Sequence, residues 1–276
     1  MQDMSEIKPG QSIELLKELH ILTRDGKLNQ DSRRKLKQVY HLYQFIEPLL
    51  KEVHKDNPAI HLVDHGAGKS YLGFILYDLF FKTLKNESRL YGIEAREELV
   101  NKSRKLAAKL NFPGMSFLHL SVAESIASDR LPEKIDVVTA LHACDTATDD
   151  AIHFGLKKQA PFMVLVPCCQ AEVAAVLRKN KGQVLAKSAL AELWRHPLHT
   201  REFGSHVTNV LRCLQLEAHG YHVNVTELVG WEHSMKNELI IASYKNLPRQ
   251  RPSERLQEVL QTLGLEEMRH RFFVSP

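Results

Sequence analysis

The sequence predicts an α/β fold: a mostly parallel sheet with helices on both faces, preceded by a helical extension. Three observations carry that expectation. Between residues 60 and 166, short apolar runs alternate with helical segments, the pattern of successive βα units. The runs Val137-Val138 and Met163-Val164-Leu165-Val166 are apolar throughout, as strands buried on both faces require. Finally, Ile60-His61-Leu62-Val63-Asp64-His65-Gly66-Ala67-Gly68-Lys69-Ser70 passes from strand through a Gly-x-Gly turn straight into an apolar helix, Tyr71-Leu72-Gly73-Phe74-Ile75-Leu76-Tyr77. That order of parts is Rossmann-like.

In chain order, residues 1–57 read as the helical extension, 58–246 as the sheet domain and 247–276 as a C-terminal helix and tail. Leu15, Leu16, Leu19 and Leu22 form one apolar stripe. After a turn at Arg24-Asp25-Gly26-Lys27, a second helix is expected to be capped near Asp31-Ser32 and to bury Leu36, Val39, Tyr40, Tyr43 and Ile46. Arg34, Lys37, His41 and Gln44 fall on its other side, a solvated face or one that touches phosphates. Pro48 is expected to kink or end it.

The strands are expected at Ile60 to Asp64, Leu90 to Glu94, Met115 to Leu120, Ile135 to Leu141 and Phe162 to Val166, with a helix from Glu98 to Leu110. A helix from Ser205 to His219, closed by Gly220, leads into two last strands, Tyr221 to Leu228 and Glu238 to Tyr244. These form a final antiparallel hairpin. Pro252-Ser253 opens a short helix stopped by Gly264, and the basic tail is expected to pack on the surface.

The Gly-x-Gly turn is the first chemical signal. Gly66 and Gly68 let the backbone turn tightly and approach a ligand with no Cβ in the way. The free N–H groups of the first helical turn then face that ligand. A nucleotide-triphosphate loop would need a glycine at Val63, and a dinucleotide fingerprint would need one at Tyr71. Asp64-x-Gly66-x-Gly68 suits S-adenosylmethionine (SAM) best, with the acid orienting the turn and the methionine amino group; an ordinary βα turn is the plain alternative. Glu94 ends the second strand about where a carboxylate accepts from both ribose hydroxyls; a solvated loop glutamate is the plain alternative. The candidate cofactor residues are Asp64, His65, Gly66, Ala67, Gly68, Glu94, Ala95, Leu141 and His142, with Ser121 and Val122 beside the adenine edge.

Over 276 residues the net charge is +4, with a pI near 8.8, which permits nucleic acid without requiring it. Lys and Arg exceed acids between residues 157 and 212, a stretch that suits a phosphate backbone. The four cysteines are too few and too clustered for a disulfide framework, so a reducing cytoplasm is expected, with no secretory signal and no bilayer span.

Two loops at the carboxyl ends of strands carry the remaining chemistry: Leu141-His142-Ala143-Cys144-Asp145-Thr146-Ala147-Thr148-Asp149-Asp150 and Val166-Pro167-Cys168-Cys169-Gln170. The candidate catalytic residues are His142, Asp145, Cys168 and Cys169. His142 or Asp145 suits proton removal from an acceptor hydroxyl or amine, or His142 only packs on the cofactor. A cysteine nucleophile needs a thiolate, whereas buried cysteines without chemistry are common. His142, Cys144, Cys168 and Cys169 include zinc-ligand types, but adjacent cysteines strain to hold one ion, so no metal is assigned. Trp231 and His233 stack on a base or pack on the sheet, and Lys236 holds a phosphate or serves a turn.

Asp64-x-Gly66-x-Gly68, Gly92-x-Glu94, Leu141-His142-Ala143-Cys144-x-x-Ala147-Thr148-Asp149, Pro167-Cys168-Cys169 and Lys236-Asn237 together resemble a subgroup of class I SAM-dependent methyltransferases. That subgroup includes a eukaryotic tRNA 2′-O-methyltransferase and the methyltransferase-like domain of a glutathione-transferase-related protein. The resemblance covers roughly residues 58–244. Asp145 departs from it, standing where the subgroup often has glycine, which adds a carboxylate beside the methyl donor. The resemblance implies a class I methyltransferase sheet whose last strand is antiparallel, SAM as cofactor and RNA (tRNA or rRNA) as acceptor. A small-molecule or protein acceptor is the alternative within enzymes. A non-catalytic RNA-binding module that retains SAM is the alternative outside them.

Overall fold

The computed structural model describes residues 6–84, 87–141, 146–167, 170–180, 192–193, 195–228 and 238–273. Its elements are α1 (Ile13–Glu18), α2 (Gln30–Asp56), β1 (His61–His65), α3 (Tyr71–Leu79), β2 (Arg89–Glu94), α4 (Glu97–Lys109), β3 (Met115–His119), α5 (Val122–Ile126), β4 (Val137–Leu141), α6 (Thr146–Lys157), β5 (Phe162–Val166), α7 (Glu172–Lys179), α8 (Pro197–Ala218), β6 (Tyr221–Glu227), β7 (Glu238–Tyr244), α9 (Gln250–Thr262) and α10 (Arg269–Phe272). The strands form one seven-stranded sheet in the order β3-β2-β1-β4-β5-β7-β6. β1 to β5 pair in parallel, while β7 runs antiparallel to both β5 and β6. The order reverses between β1 and β4, so a crevice opens there at the carboxyl ends.

Alternate residues of each strand feed opposite faces. Val137, Phe162, Val164, Val166 and Leu239 join a core with α1, α2 and α3. Val138, Met163, Leu165, Ile240 and Ala242 join another with α6. Every expected strand is present, with ends moved by one or two residues. β1 is displaced by one, so His65 belongs to the strand.

The helices depart further. α2 is capped by Asn29, whose Oδ1 accepts from the Ser32 amide at 2.8 Å, not by Asp31 or Ser32. It also runs through Pro48 to Asp56. Pro48 and its i−4 partner Gln44 are both exposed, so the carbonyl that proline leaves unpaired lies on the solvent side. Tyr40 is only half-buried, and Leu42 takes the expected place in the core. α8 begins at Pro197, eight residues before the expected Ser205, with proline at its first turn.

The C-terminal tail is not a surface appendage. Leu256, Leu260, Leu265, Met268 and Phe272 form a third core with Val173 and Leu177 of α7 and Leu211 and Leu214 of α8. Arg271 clasps Glu172 with two bonds of 3.0 and 3.2 Å. Its apolar residues recur at helical spacing and need a partner surface, which the α7–α8 pair supplies. Phe272 is 1% exposed, so Phe272→Ala is expected to cost about 3–5 kcal/mol, read as a lower midpoint in urea unfolding. A cost below about 1 kcal/mol would mean the tail is not part of the folded unit.

Candidate cofactor and acceptor site

At the crevice, β1 ends in Asp64 and His65 and the chain enters the glycine turn. Gly66 and Gly68 take left-handed φ of 63° and 57°, and Ser70 follows at 53°. The turn is pinned to β2 by the Ala67 amide, which donates to the Ile93 carbonyl at 3.0 Å. The Gly68 amide donates to Glu94 Oε2 at 2.8 Å, so the two carboxyl-end motifs meet directly. α3 starts at Tyr71 with no side-chain cap, which leaves its first N–H groups directed at the crevice. Gly73 keeps α3 close to the sheet: a Cβ there would stand 2.5 Å from Ser70 Oγ and 3.2 Å from Leu90. Glycine at 73, not 71, is thus the helix-packing position of this turn.

Asp64 is buried and accepts a 2.7 Å bond from the Thr139 hydroxyl of β4, its register partner. Burial raises its carboxyl to about 7 against that bond. Glu94 lies in a different balance. Burial pushes its carboxyl up, but the Arg96 side chain, the Arg96 amide and the Gly68 amide outweigh it, so its pKa lies below the ordinary value. Arg96 Nε donates to Glu94 Oε1 at 2.8 Å and the Arg96 amide to the same oxygen at 2.9 Å. Arg96 Nη2 stands 3.8 Å from the place of a Gly68 Cβ, so the guanidinium lies over the turn.

The other expected cofactor residues are placed as follows. His65 points away from the turn, into the core: Nε2 meets Ser125 Oγ at 3.0 Å and the ring sits edge-on to Phe154 at 4.6 Å. Burial lowers its pKa to about 3, so it is neutral. Ser121 caps α5 in a capping box: its hydroxyl accepts from the Glu124 amide, and Glu124 Oε2 accepts from the Ser121 amide at 2.7 Å. The signature Ser121-x-x-Glu124 is legible in the chain. Val122 is buried in the core, Ala95 is exposed beside Glu94, and Leu141 is half-buried at the end of β4. His142, Ala143, Cys144, Asp145, Cys168 and Cys169, together with Trp231, His233, Lys236 and Asn237, lie outside the described residues.

The segments flanking those loops are joined by a buried polar network that local sequence does not reveal. Arg212 of α8, 1% exposed, grips Asp149 in the first turn of α6 with bonds of 2.6 and 3.1 Å. Its third bond, 3.2 Å, goes to Asn209 Oδ1, which also accepts from Gln170 Nε2 at 2.8 Å. Ser205 donates to Gln170 Oε1 at 3.0 Å, and Asn209 Nδ2 donates to Glu238 at 2.7 Å. One helix therefore holds the start of α6, the end of the β5 loop and the start of β7, all at the carboxyl edge. Arg212 cannot serve as a phosphate contact. Arg195, Arg201 and Lys179 pair with Glu192, Glu202 and Glu267, so three of the four arginines between 157 and 212, Arg212 included, are engaged in ion pairs. Cys213 is half-buried, and burial raises its thiol to about 12, leaving it unreactive.

A sequence-family model described as a methyltransferase domain matches residues 34–176, from within α2 to α7. The chain belongs to the methyltransferase-domain family. Its seven-stranded sheet with antiparallel β7 is the Rossmann-like, SAM-binding methyltransferase fold. The residues present fit that group: a left-handed glycine pair without side chains, anchored to a strand-end carboxylate. When bound, SAM would supply a methyl group already activated on a sulfonium.

Among curated proteins, the methyltransferase is similar to a Bos taurus glutathione S-transferase C-terminal domain-containing protein, 22% identical over 236 residues. That match takes in 79% of this chain but 34% of the relative, so the chain spans about a third of the curated relative's length. Among solved structures, magnesium protoporphyrin IX methyltransferase from Synechocystis PCC 6803 with bound SAH is 15% identical at TM-score 0.44, covering 84% of this chain and 94% of that one. An rRNA methylase from Streptococcus thermophilus is 12% identical at TM-score 0.41, covering 70% and 89%. No helix among the described residues is long and apolar enough to cross a membrane.

Proposed function

We propose that this methyltransferase modifies RNA, with tRNA or rRNA as the acceptor, and holds SAM on the Asp64–Gly68 turn. The observation that carries the cofactor reading is the bond from the Gly68 amide to Glu94. It sets a carboxylate beside the glycine turn, where the two ribose hydroxyls need an acceptor. Asp64 faces the methionine amino group, and the backbone from His65 to Gly68 borders the chain of the cofactor. Ala95, Ser121 and Val122 flank the adenine, and Leu141 and His142 close the methyl end. His142 or Asp145 takes the acceptor proton, with Cys168 and Cys169 forming the acceptor wall.

The feature that supports an RNA acceptor is the paired His142-x-Cys144…Thr148-Asp149 and Pro167-Cys168-Cys169 motifs, and the net charge of +4 permits one. The test is methyl transfer from tritiated SAM to total RNA from cells lacking the gene. Label in a tRNA or rRNA band is expected. Label confined to protein or small molecules, with none in RNA, would contradict the reading.

The raised pKa of Asp64 adds a pH dependence. Below about 7 the free carboxyl is largely neutral, and pairing with an ammonium requires it ionised. SAM affinity is therefore expected to rise from pH 5.5 to 7.5, by up to about tenfold per unit at the acid end, while the ligand's α-amino group stays protonated. Asp64→Asn keeps the Thr139 contact and should flatten the profile. An unchanged slope in that variant would remove Asp64 from the amino-group site.

A further inference from the structure

α2 is longer than the strands it covers. Its 27 residues span about 40 Å, against about 17 Å for the five residues of β1. Its C-terminal end is fixed at the amino edge of the sheet. There the Asn57 side chain donates to Asp136 at 3.3 Å, and Glu52 pairs with Lys245, just past β7, at 3.2 Å. The N-terminal half is thereby carried toward the carboxyl edge, where Lys35 comes within electrostatic range of Tyr71, the first residue of α3.

Along the outer side of this half runs a groove of about 550 Å³, a volume within the range of ligand sites. Arg33, Arg34, Lys37, Tyr40, His41 and Gln44 line it at helical spacing. Its one acid, Glu6, is engaged with Arg33 at 2.8 Å. Arg34 and Lys37 are exposed and form no ion pair among the described residues. Tyr40 and His41 are half-buried rings one helical turn beyond Lys37, with Lys8 Nζ 5.6 Å from the Tyr40 ring centroid and His41 edge-on to Phe45 at 5.0 Å. The Nδ1 atom of His41 is buried with no hydrogen-bond partner among the described residues. Aromatic rings and unpaired cations lining one groove match the two chemistries of a single-stranded nucleic acid, a base to stack and phosphates to neutralise.

We infer that this face of α2 is an RNA-docking groove, in which a single-stranded segment lays a base against Tyr40 and His41 and its phosphates against Arg34 and Lys37. The inference rests on the RNA reading above and places the strand beside the cofactor crevice. It also moves the RNA contact away from residues 157–212, whose arginines are largely engaged.

The test is fluorescence anisotropy of a labelled, unstructured RNA of about 20 nucleotides with the full chain and saturating S-adenosylhomocysteine, across a salt series. Arg34→Glu/Lys37→Glu is expected to weaken binding about tenfold or more. It should also shallow the log–log salt slope by about 1.4, the share of two phosphates on a single strand. Both substitutions are on an exposed helix face, so the unfolding midpoint and cofactor affinity should hold. Unchanged RNA affinity and slope in this variant would overturn the groove while leaving the RNA reading intact. No RNA binding by the unmodified chain at low salt would overturn both. A mononucleotide that binds as tightly as the RNA, and is lost in the variant, would replace the strand with a small phosphorylated ligand and overturn the inference.

Discussion

Arg212→Met should destabilise the protein by about 3–5 kcal/mol, the range for breaking a buried ion pair from one side. Arg212 is 1% exposed and holds Asp149 with two bonds, so its removal strands a carboxylate that is itself 7% exposed. Asn209 also loses a donor. The double variant Arg212→Met/Asp149→Leu should recover much of the loss, because the cost lies in the unpaired charge more than in the missing attraction. Urea unfolding of the wild type, both single variants and the double variant measures this directly. A single-variant loss below about 1 kcal/mol would mean that the network is not closed as described. The consequence for activity follows from what the network joins. Asp149, Gln170 and Glu238 flank the segments that carry the candidate acceptor residues, so loosening α8 loosens all three together.

Glu94→Ala should have the largest effect on cofactor binding. The carboxylate anchors the Gly68 amide and, in the proposed site, accepts from the ribose hydroxyls, and hydrogen bonds to a charged group contribute about 1.5–3 kcal/mol each. Losing two ribose bonds and the anchor together predicts a fall in SAM affinity of about 100-fold or more. Arg96→Ala is the control. It removes an exposed partner of Glu94 while leaving the bond to Gly68, and a change of only a few-fold is expected. Equal losses in the two variants would assign the binding to the guanidinium instead of the carboxylate.

The sheet and the glycine turn were legible because their signals are local. Strand ends, the two glycines and the acid at the end of β2 all follow from short patterns. Boundaries failed where a single residue was given too much weight. Pro48 does not stop α2 because the bond it forgoes is on the exposed side. α8 begins at Pro197 because proline suits a first helical turn, and Gly204 within it lets the helix meet α7: a Cβ there would stand 2.7 Å from the Ala174 backbone. The buried network was not legible at all. Asp149 and Arg212 are 63 residues apart, and Gln170 and Asn209 are 39 apart. No periodicity links them, and Arg212 reads locally as one more surface cation. The tail hid for the same reason: five apolar residues at helical spacing do not say which surface they cover.

Isothermal titration of the purified full chain with S-adenosylhomocysteine at pH 7.5 tests the central claim most directly. One saturable site per chain is expected, lost or severely weakened in Glu94→Ala and retained in Arg96→Ala. A well-folded chain with no saturable uptake, or with uptake indifferent to Glu94, would contradict the assignment of the glycine turn and the β2 carboxylate as the cofactor site.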